Sequence, residues 1–512
     1  MPFELILQEL EERRAKALAM GGEDKLAKRK QSGKLNARER LDRLLDQSSF
    51  VESGQFALSA RPEMRHKSPA DGKVMGFGRI DGREVGVVSN DFTVLGASSA
   101  LTNSKKLRHM KQVTAKRGIP LIFLGESAGA RMPDRMGSSG RAISGGADSA
   151  EFLRLRKSPW ISALLGPCYG SSAWYACASD FVVMVKQATM SVASSRVTSI
   201  AISQETDAET LGGWKMLSEM SGLVDAVVDT EEQALEAIRK FLGYLPGHCN
   251  ESPPSCAVPA GSDEAARSVL DIFPESRTAV YDMRKIVARI VDQGSVFEIK
   301  ARYGKSVMTA LSRINGQSVG IIANNPLYKG GALDADCCSK VTDFLVMCDS
   351  FNIPIVFLVD VPGFLIGLEG EKRGLAAKII NWMHALPLIT VPKITVIVRK
   401  SYGKAYPNMG GGLNSDVVAC WPTAELGFMD PKVGVNVLHG ITAESDPERF
   451  QAHVSEIERD SSGWALAELY EAQHLIDPRD TRSWLIRMLQ IHSMRMERGV
   501  GAHLLANWPT TM

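Results

Sequence analysis

The chain has 512 residues, 44% hydrophobic and 23% charged, which suits two or more packed domains and excludes wholesale disorder. A net charge of only +2 gives no electrostatic reason to expect nucleic acid as a partner, and no apolar run approaches the ~20 residues of a membrane span. The eight cysteines show no C-x-x-C spacing and Glu4, Glu9, Glu11 and Glu12 rule out a secretion signal, so we expect reduced thiols, no metal and a cytoplasmic protein.

Roughly the first 45 residues are charged and helix-forming, with Leu18, Leu26, Leu41, Leu44 and Leu45 as apolar positions. Arg79-Ile80-Asp81-Gly82 then leads into a strand at 85–88, a helix at 104–115 and a strand at 121–124. Gly166-Pro167-Cys168-Tyr169-Gly170-Ser171-Ser172 reads as a loop before a strand at 181–185. Residues 244–263, rich in Pro, Gly and Ser, read as a linker between domains at 1–250 and 263–512. The same layout then returns: Arg313, Pro354 and Gly363 each stand 234 positions after Arg79, Pro120 and Gly129. A strand at 319–323, a helix at 339–350 and strands at 355–359 and 394–398 complete the second copy. From Pro447 the chain reads as helical throughout, with Ala465, Leu466, Leu469 and Tyr470 as packing positions. A repeat this long is a duplicated domain rather than a solenoid, and strand–helix alternation makes each copy α/β.

Three small-residue loops offer bare backbone to a developing negative charge: 166–172, Tyr402-Gly403-Lys404-Ala405-Tyr406, and the pair Gly129 and Gly363. Glycines after strands also make ordinary turns, but matched placement in both copies favours function. Subtracting 234 sets Lys404 and Ala405 opposite Gly170 and Ser171. Lys105, Lys106, Arg108 and Lys111 form a basic helical face suited to nucleotide phosphates, or to plain solvation. His109, His384 and His439 have no metal-ligand spacing, and no phosphate-binding G-x-x-x-x-G-K-[ST] loop is present.

The motifs resemble one family over nearly the whole length. They include Gly33-Lys34-Leu35-Asn36-Ala37-Arg38-Glu39-Arg40-Leu41, Asp91-Phe92-Thr93-Val94, Gly129-Ala130-Arg131 and Gly166-Pro167-Cys168. In the second half stand Asn324-Asn325-Pro326, Asp360-Val361-Pro362-Gly363-Phe364, Trp421-Pro422-Thr423-Ala424-Glu425 and Asp477-Pro478-Arg479-Asp480-Thr481-Arg482. This is similar to the carboxyltransferase (β) subunit of biotin-dependent acyl-CoA carboxylases, the propionyl-CoA and methylcrotonyl-CoA enzymes. The resemblance implies two tandem crotonase-like domains (ClpP/crotonase superfamily, ββα superhelix). It also implies a dimer-interface site, with acyl-CoA on the N-terminal domain and biotin on the C-terminal domain of the partner, in a homo-oligomer built as a trimer of dimers, a hexamer. Carboxybiotin would arrive on a separate biotin carboxyl carrier charged by a separate biotin carboxylase, since no Ala-Met-Lys-Met site and no ATP-binding loop are found.

The resemblance assigns the oxyanion donors to Gly170 and Ser171 for the acyl thioester, and to Lys404 and Ala405 for biotin. It places Lys106, Gly129, Ala130, Arg131, Gly363, Phe364, Tyr402 and Gly403 around the two cofactors, and Tyr169, Trp174 and Pro407 at acyl specificity. Departures gather there. Ser171 and Lys404 stand where the family has glycine, Glu126-Ser127-Ala128-Gly129-Ala130-Arg131 replaces Asp-Ser-Gly-Gly-Ala-Arg, and Gly96-Ala97-Ser98-Ser99-Ala100 replaces Gly-Gly-Ser-Leu-Gly. Side chains at 171 and 404 would be strained if their turns needed positive φ. Competing readings are a biotin-independent acyl-CoA decarboxylase or hydrolase, and a non-catalytic subunit of the same fold.

Overall fold

The structure is a computed structural model that describes residues 3–136 and 156–509. It divides into two compact units, Met1–Gly243 with Gly247–Cys249, and Tyr244–Pro246 with Asn250–Met512. Residues 250–263 are not a free linker. The Cys256 N–H donates to the Gly316 carbonyl at 2.9 Å and Arg313 donates to the Pro254 carbonyl at 2.8 Å, both within the second unit.

In the first unit the described strands are β1 (Val51–Glu52), β2 (Lys73–Ile80), β3 (Arg83–Asn90), β4 (Leu121–Ser127), β5 (Trp160–Tyr169), β6 (Phe181–Val185), β7 (Thr189–Ser191) and β8 (Ala226–Val228). They form one sheet in the order β1-β2-β3-β4-β5-β6-β8, with β7 beside β5. The second unit repeats this with β9 (Phe297–Ile299), β10 (Val307–Ile314), β11 (Gln317–Asn324), β12 (Ile355–Val361), β13 (Lys393–Tyr402), β14 (Val417–Cys420), β15 (Glu425–Gly427) and β16 (His474–Leu475). Its order is β16-β14-β13-β12-β11-β10-β9, with β15 beside β13. A two-residue turn, Asp81-Gly82 or Asn315-Gly316, closes each β2–β3 and β10–β11 hairpin, as such dipeptides favour. The carboxylate that holds each turn is also duplicated: Asp46 accepts from the Asp81 and Gly82 N–H groups, and Asp292 from those of Asn315 and Gly316.

Strands β3–β6 and β11–β14 are parallel and buried on both faces, which explains their unbroken apolar runs. The C-terminal stretch departs from the all-helical expectation. Between the helices Gly463–Glu468 and Thr481–Ser493 the chain enters the sheet as β16, and of the four expected packing positions only Leu466 is buried, Leu469 and Tyr470 being 74% and 72% exposed. Helical periodicity persisted in the sequence, but sheet pairing took His474 and Leu475. Among the described residues no helix is long and apolar enough to cross a membrane.

The helix Leu101–Arg117 corrects another expectation. Lys106 and Lys111 turn inward, and the Lys106 ammonium donates to the Ala70 and Lys73 carbonyls, each at 2.7 Å. Lys340, 234 positions on, does the same to Tyr303 and Val307 at 2.9 and 2.7 Å. Lys106 is therefore a buried clamp on backbone carbonyls rather than a phosphate ligand. Burial pushes Lys106 and Lys340 each down to about 8. Between that value and 10.5 the unfolded chain binds more protons than the folded one, so this group's contribution favours folding as pH rises. Relative to Lys340→Met, the wild type should therefore gain about 1–2 kcal/mol between pH 7.5 and 9.5, read from denaturant midpoints.

Candidate active site

The turn that matters lies at the far end of β5. Register slips between β4 and β5, where Gly125 pairs with Leu164 but Ser127 with Cys168, and this irregularity lets Pro167–Tyr169 leave β6 and pair with β7. The expected loop at 166–172 is thus mostly strand, which runs to Tyr169 despite Pro167. The reversal falls on Gly170 alone, at φ +62°, and the helix Ser171–Cys177 begins at once. Ser171 occupies ordinary right-handed backbone, so its side chain costs no strain. The N–H groups of Gly170, Ser171 and Ser172 meet no acceptor among the described residues.

Two loops close around this turn. The segment Leu95–Ala97 leads to Ser99, which bridges to Ala130: the Ser99 N–H donates to the Gly129 carbonyl and the Arg131 N–H to the Ser99 carbonyl. Gly129, at φ +95°, packs against Tyr169. Arg131 ties the loops together from below. Its guanidinium meets Asp71 at 2.8 Å and Ser98 at 3.3 Å, and Asp71 also accepts from the Asn103 N–H at 3.0 Å. Asp71 is fully buried and held at φ +48°, a left-handed conformation uncommon for a residue with a Cβ. Burial pushes its carboxyl upward, against the pull of Arg131. A second buried cluster supports the end of β4. The capped helix Ala37–Leu44 presents Arg40 to Glu126 at 2.9 Å and to Glu231 at 2.7 Å, and Arg29 also pairs with Glu126.

The second unit is built alike. β13 slips register against β12, with Val359 on Ile397 but Val361 on Ser401, then pairs with β15 and reverses at Gly403, φ +59°. The Gly403 N–H is used by Gly427, while those of Lys404 and Ala405 meet no acceptor among the described residues. Lys404 has φ −66°, so it too is unstrained, and its side chain is exposed. Asp360 takes the place of Glu126, buried against Arg399 at 2.9 Å and the Tyr281 hydroxyl at 2.8 Å. Leu333 bridges Phe364 as Ser99 bridges Ala130.

The strands revise the sequence alignment of the two turns. Leu121 pairs with Trp160 and Ile355 with Lys393, so one residue is lost between the copies and Gly403, not Lys404, stands opposite Gly170. Four predicted donors, Gly170, Ser171, Lys404 and Ala405, nonetheless gather at the two turns with free N–H groups. Gly129, Ala130, Gly363 and Phe364 lie in the loops beside them. Two others turn their side chains into the interior. Arg131 is buried against Asp71, and the Tyr402 phenol points inward to Glu425 and Arg277, with only its backbone at the turn. Of the specificity candidates, Trp174 is 42% exposed on the helix after the turn, Tyr169 shares a hydrogen bond with Thr189 at 3.2 Å, and Pro407 is half-buried. Asp71 was missed, and Ser99 was noted only as a departure, because no local pattern signals a contact to Arg131 or to a turn 72 residues away. No group of three His, Cys, Asp or Glu poised for a metal occurs among the described residues.

A turn glycine followed by backbone N–H groups without acceptors among the described residues recurs in the two α/β units. Residues 28–499 match the carboxyl transferase domain family. The chain is 35% identical over 503 residues to the propionyl-CoA carboxylase carboxyltransferase subunit of Haloferax mediterranei, covering 96% of each. It is 34% identical over 509 residues to the methylmalonyl-CoA carboxyltransferase 12S subunit of Propionibacterium freudenreichii subsp. shermanii, covering 96% of this chain and 95% of that one. A transcarboxylase 12S crystal structure, a hexamer with methylmalonyl-CoA and methylmalonic acid bound, superposes with a TM-score of 0.90 at 33% identity over 97% of both chains. The chain belongs to the carboxyl transferase family of acyl-CoA carboxylases, and its two units are tandem crotonase-like domains.

Removing one partner of the buried Asp71–Arg131 pair leaves an uncompensated charge under the site. Arg131→Met should lower stability by about 3–5 kcal/mol, measured by chemical denaturation, a far larger loss than any exposed arginine-to-methionine change.

Proposed function

We propose that this chain moves a carboxyl group between carboxybiotin, carried on a separate biotin carboxyl carrier, and the α-carbon of a short acyl-CoA. The free N–H groups at the two turns carry this reading, because the reaction develops negative charge on two oxygens. In the first unit Gly170 and Ser171 would hold the thioester oxygen as the enolate forms; in the second, Lys404 and Ala405 would hold the ureido oxygen. Bound carboxybiotin supplies both the carboxyl group and the base, so no catalytic carboxylate or histidine is required of the protein. The residues present suit such a group. The loop after β12 exposes Leu365, Ile366 and Leu368 for an apolar ring and arm, and Lys404 adds a cation where an anion forms.

The relatives' names support propionyl-CoA and methylmalonyl-CoA as the acyl pair. The 12S structure supports a hexamer, and the family supports a biotin carboxylase as partner. A place in the cytoplasm accords with eight free cysteines.

Incubation with methylmalonyl-CoA should release propionyl-CoA only when free biotin is added, followed by chromatography of the CoA esters. Release without biotin would overturn the reading in favour of a direct decarboxylase. Lys404→Ala should raise the KM for biotin about fivefold and leave that for methylmalonyl-CoA unchanged, as suits one exposed charge–charge contact.

A further inference from the structure

Two of the departures from the family pattern, far apart in sequence, meet in space. The Ser99 and Ser171 hydroxyls lie 2.6 Å apart, directly beside the turn whose N–H groups are free. Ser99 is fixed from both sides: its N–H donates to Gly129, its carbonyl accepts from Arg131, and only 8% of it is exposed. Ser171 is the more open of the two, and its own N–H is one of the free donors.

The proton count is the key point. Two hydroxyls carry two protons, and the bond between them uses one. Neither oxygen has another partner among the described residues, so one O–H is left to donate. The buried, backbone-fixed Ser99 is suited to be the donor within the pair, which leaves the Ser171 proton facing the open side. We infer that the Ser99–Ser171 pair gives the first unit's oxyanion hole a side-chain donor, with Ser171 touching the thioester oxygen and Ser99 positioning it. The hole then presents an O–H alongside the N–H groups of Gly170 and Ser171, and a glycine at 171 could offer no such group. This inference rests on the first unit binding an acyl-CoA thioester as proposed above.

The test uses Ser171→Gly, Ser171→Thr and Ser99→Ala in the full chain, each checked for an unchanged melting profile. Two readouts are taken. One is the biotin-dependent turnover of methylmalonyl-CoA. The other is the infrared carbonyl stretch of bound [1-13C]propionyl-CoA, which needs neither biotin nor turnover. Ser171→Gly should lower kcat about 10²-fold with little change in KM, and should shift the bound carbonyl stretch back toward its free frequency. Ser171→Thr, which keeps the hydroxyl, should retain most of both effects, and Ser99→Ala should fall between. A carbonyl frequency identical in wild type, Ser171→Gly and Ser99→Ala would overturn the inference, whatever the turnover. A frequency that moves in Ser171→Gly while wild type needs no biotin would uphold the pair and overturn the carboxylase reading. Failure of propionyl-CoA to bind would overturn both.

Discussion

The buried pair of Asp71 and Arg131 is the interaction on which the first unit's site depends. An ion pair this deep returns little net stability, because both partners surrender their hydration. What it fixes is geometry. Asp71 sits before β2, Ser98 after β3, Asn103 in the first turn of a helix and Arg131 after β4, and all four meet within hydrogen-bonding range. Without that knot the Ser99–Ala130 bridge has nothing beneath it, and the turn at Gly170 has no wall. The positive φ of Asp71 is a local cost accepted for the same purpose.

Duplication explains the scaffold, and divergence explains how the two loops differ. Each unit keeps a buried lysine clamp, an acid at the end of the central parallel strand, a register slip and a turn glycine. The slip moves each strand end from β6 or β14 to β7 or β15, and the turn follows at once. The loops then diverge. Where the first unit places Arg131 in a polar knot, the second places Leu365 and Ile366 in the open. Under the proposed function, a polar loop suits the thioester and an apolar, exposed one suits the biotin ring.

Much of this was legible in the sequence. The 234-residue repeat, the unbroken apolar runs of β4 and β12 and the turn glycines all have local signatures, because parallel strands buried on both faces admit little else. The one-residue loss between β12 and β13, relative to β4 and β5, was not legible, since constant offsets hide a deletion until strand pairing exposes it. Lys106 was misread for a related reason: a basic residue on a helix looks solvated unless the carbonyls of Ala70 and Lys73 are known to face it. Tyr402 and Arg131 failed likewise, being near the site in sequence while their side chains serve the interior. Long-range partners carry no periodicity, and so Asp71 left no trace and Ser99 showed only as a departure from the family pattern, without its partner.

A crystal structure of the chain soaked with propionyl-CoA and free biotin tests the central claim most directly. The thioester oxygen should lie about 2.7–3.1 Å from the Gly170 and Ser171 N–H groups, and the ureido oxygen at the same range from those of Lys404 and Ala405. A thioester held by the second unit's turn, or an acyl group bound with its oxygen away from both turns, would contradict it.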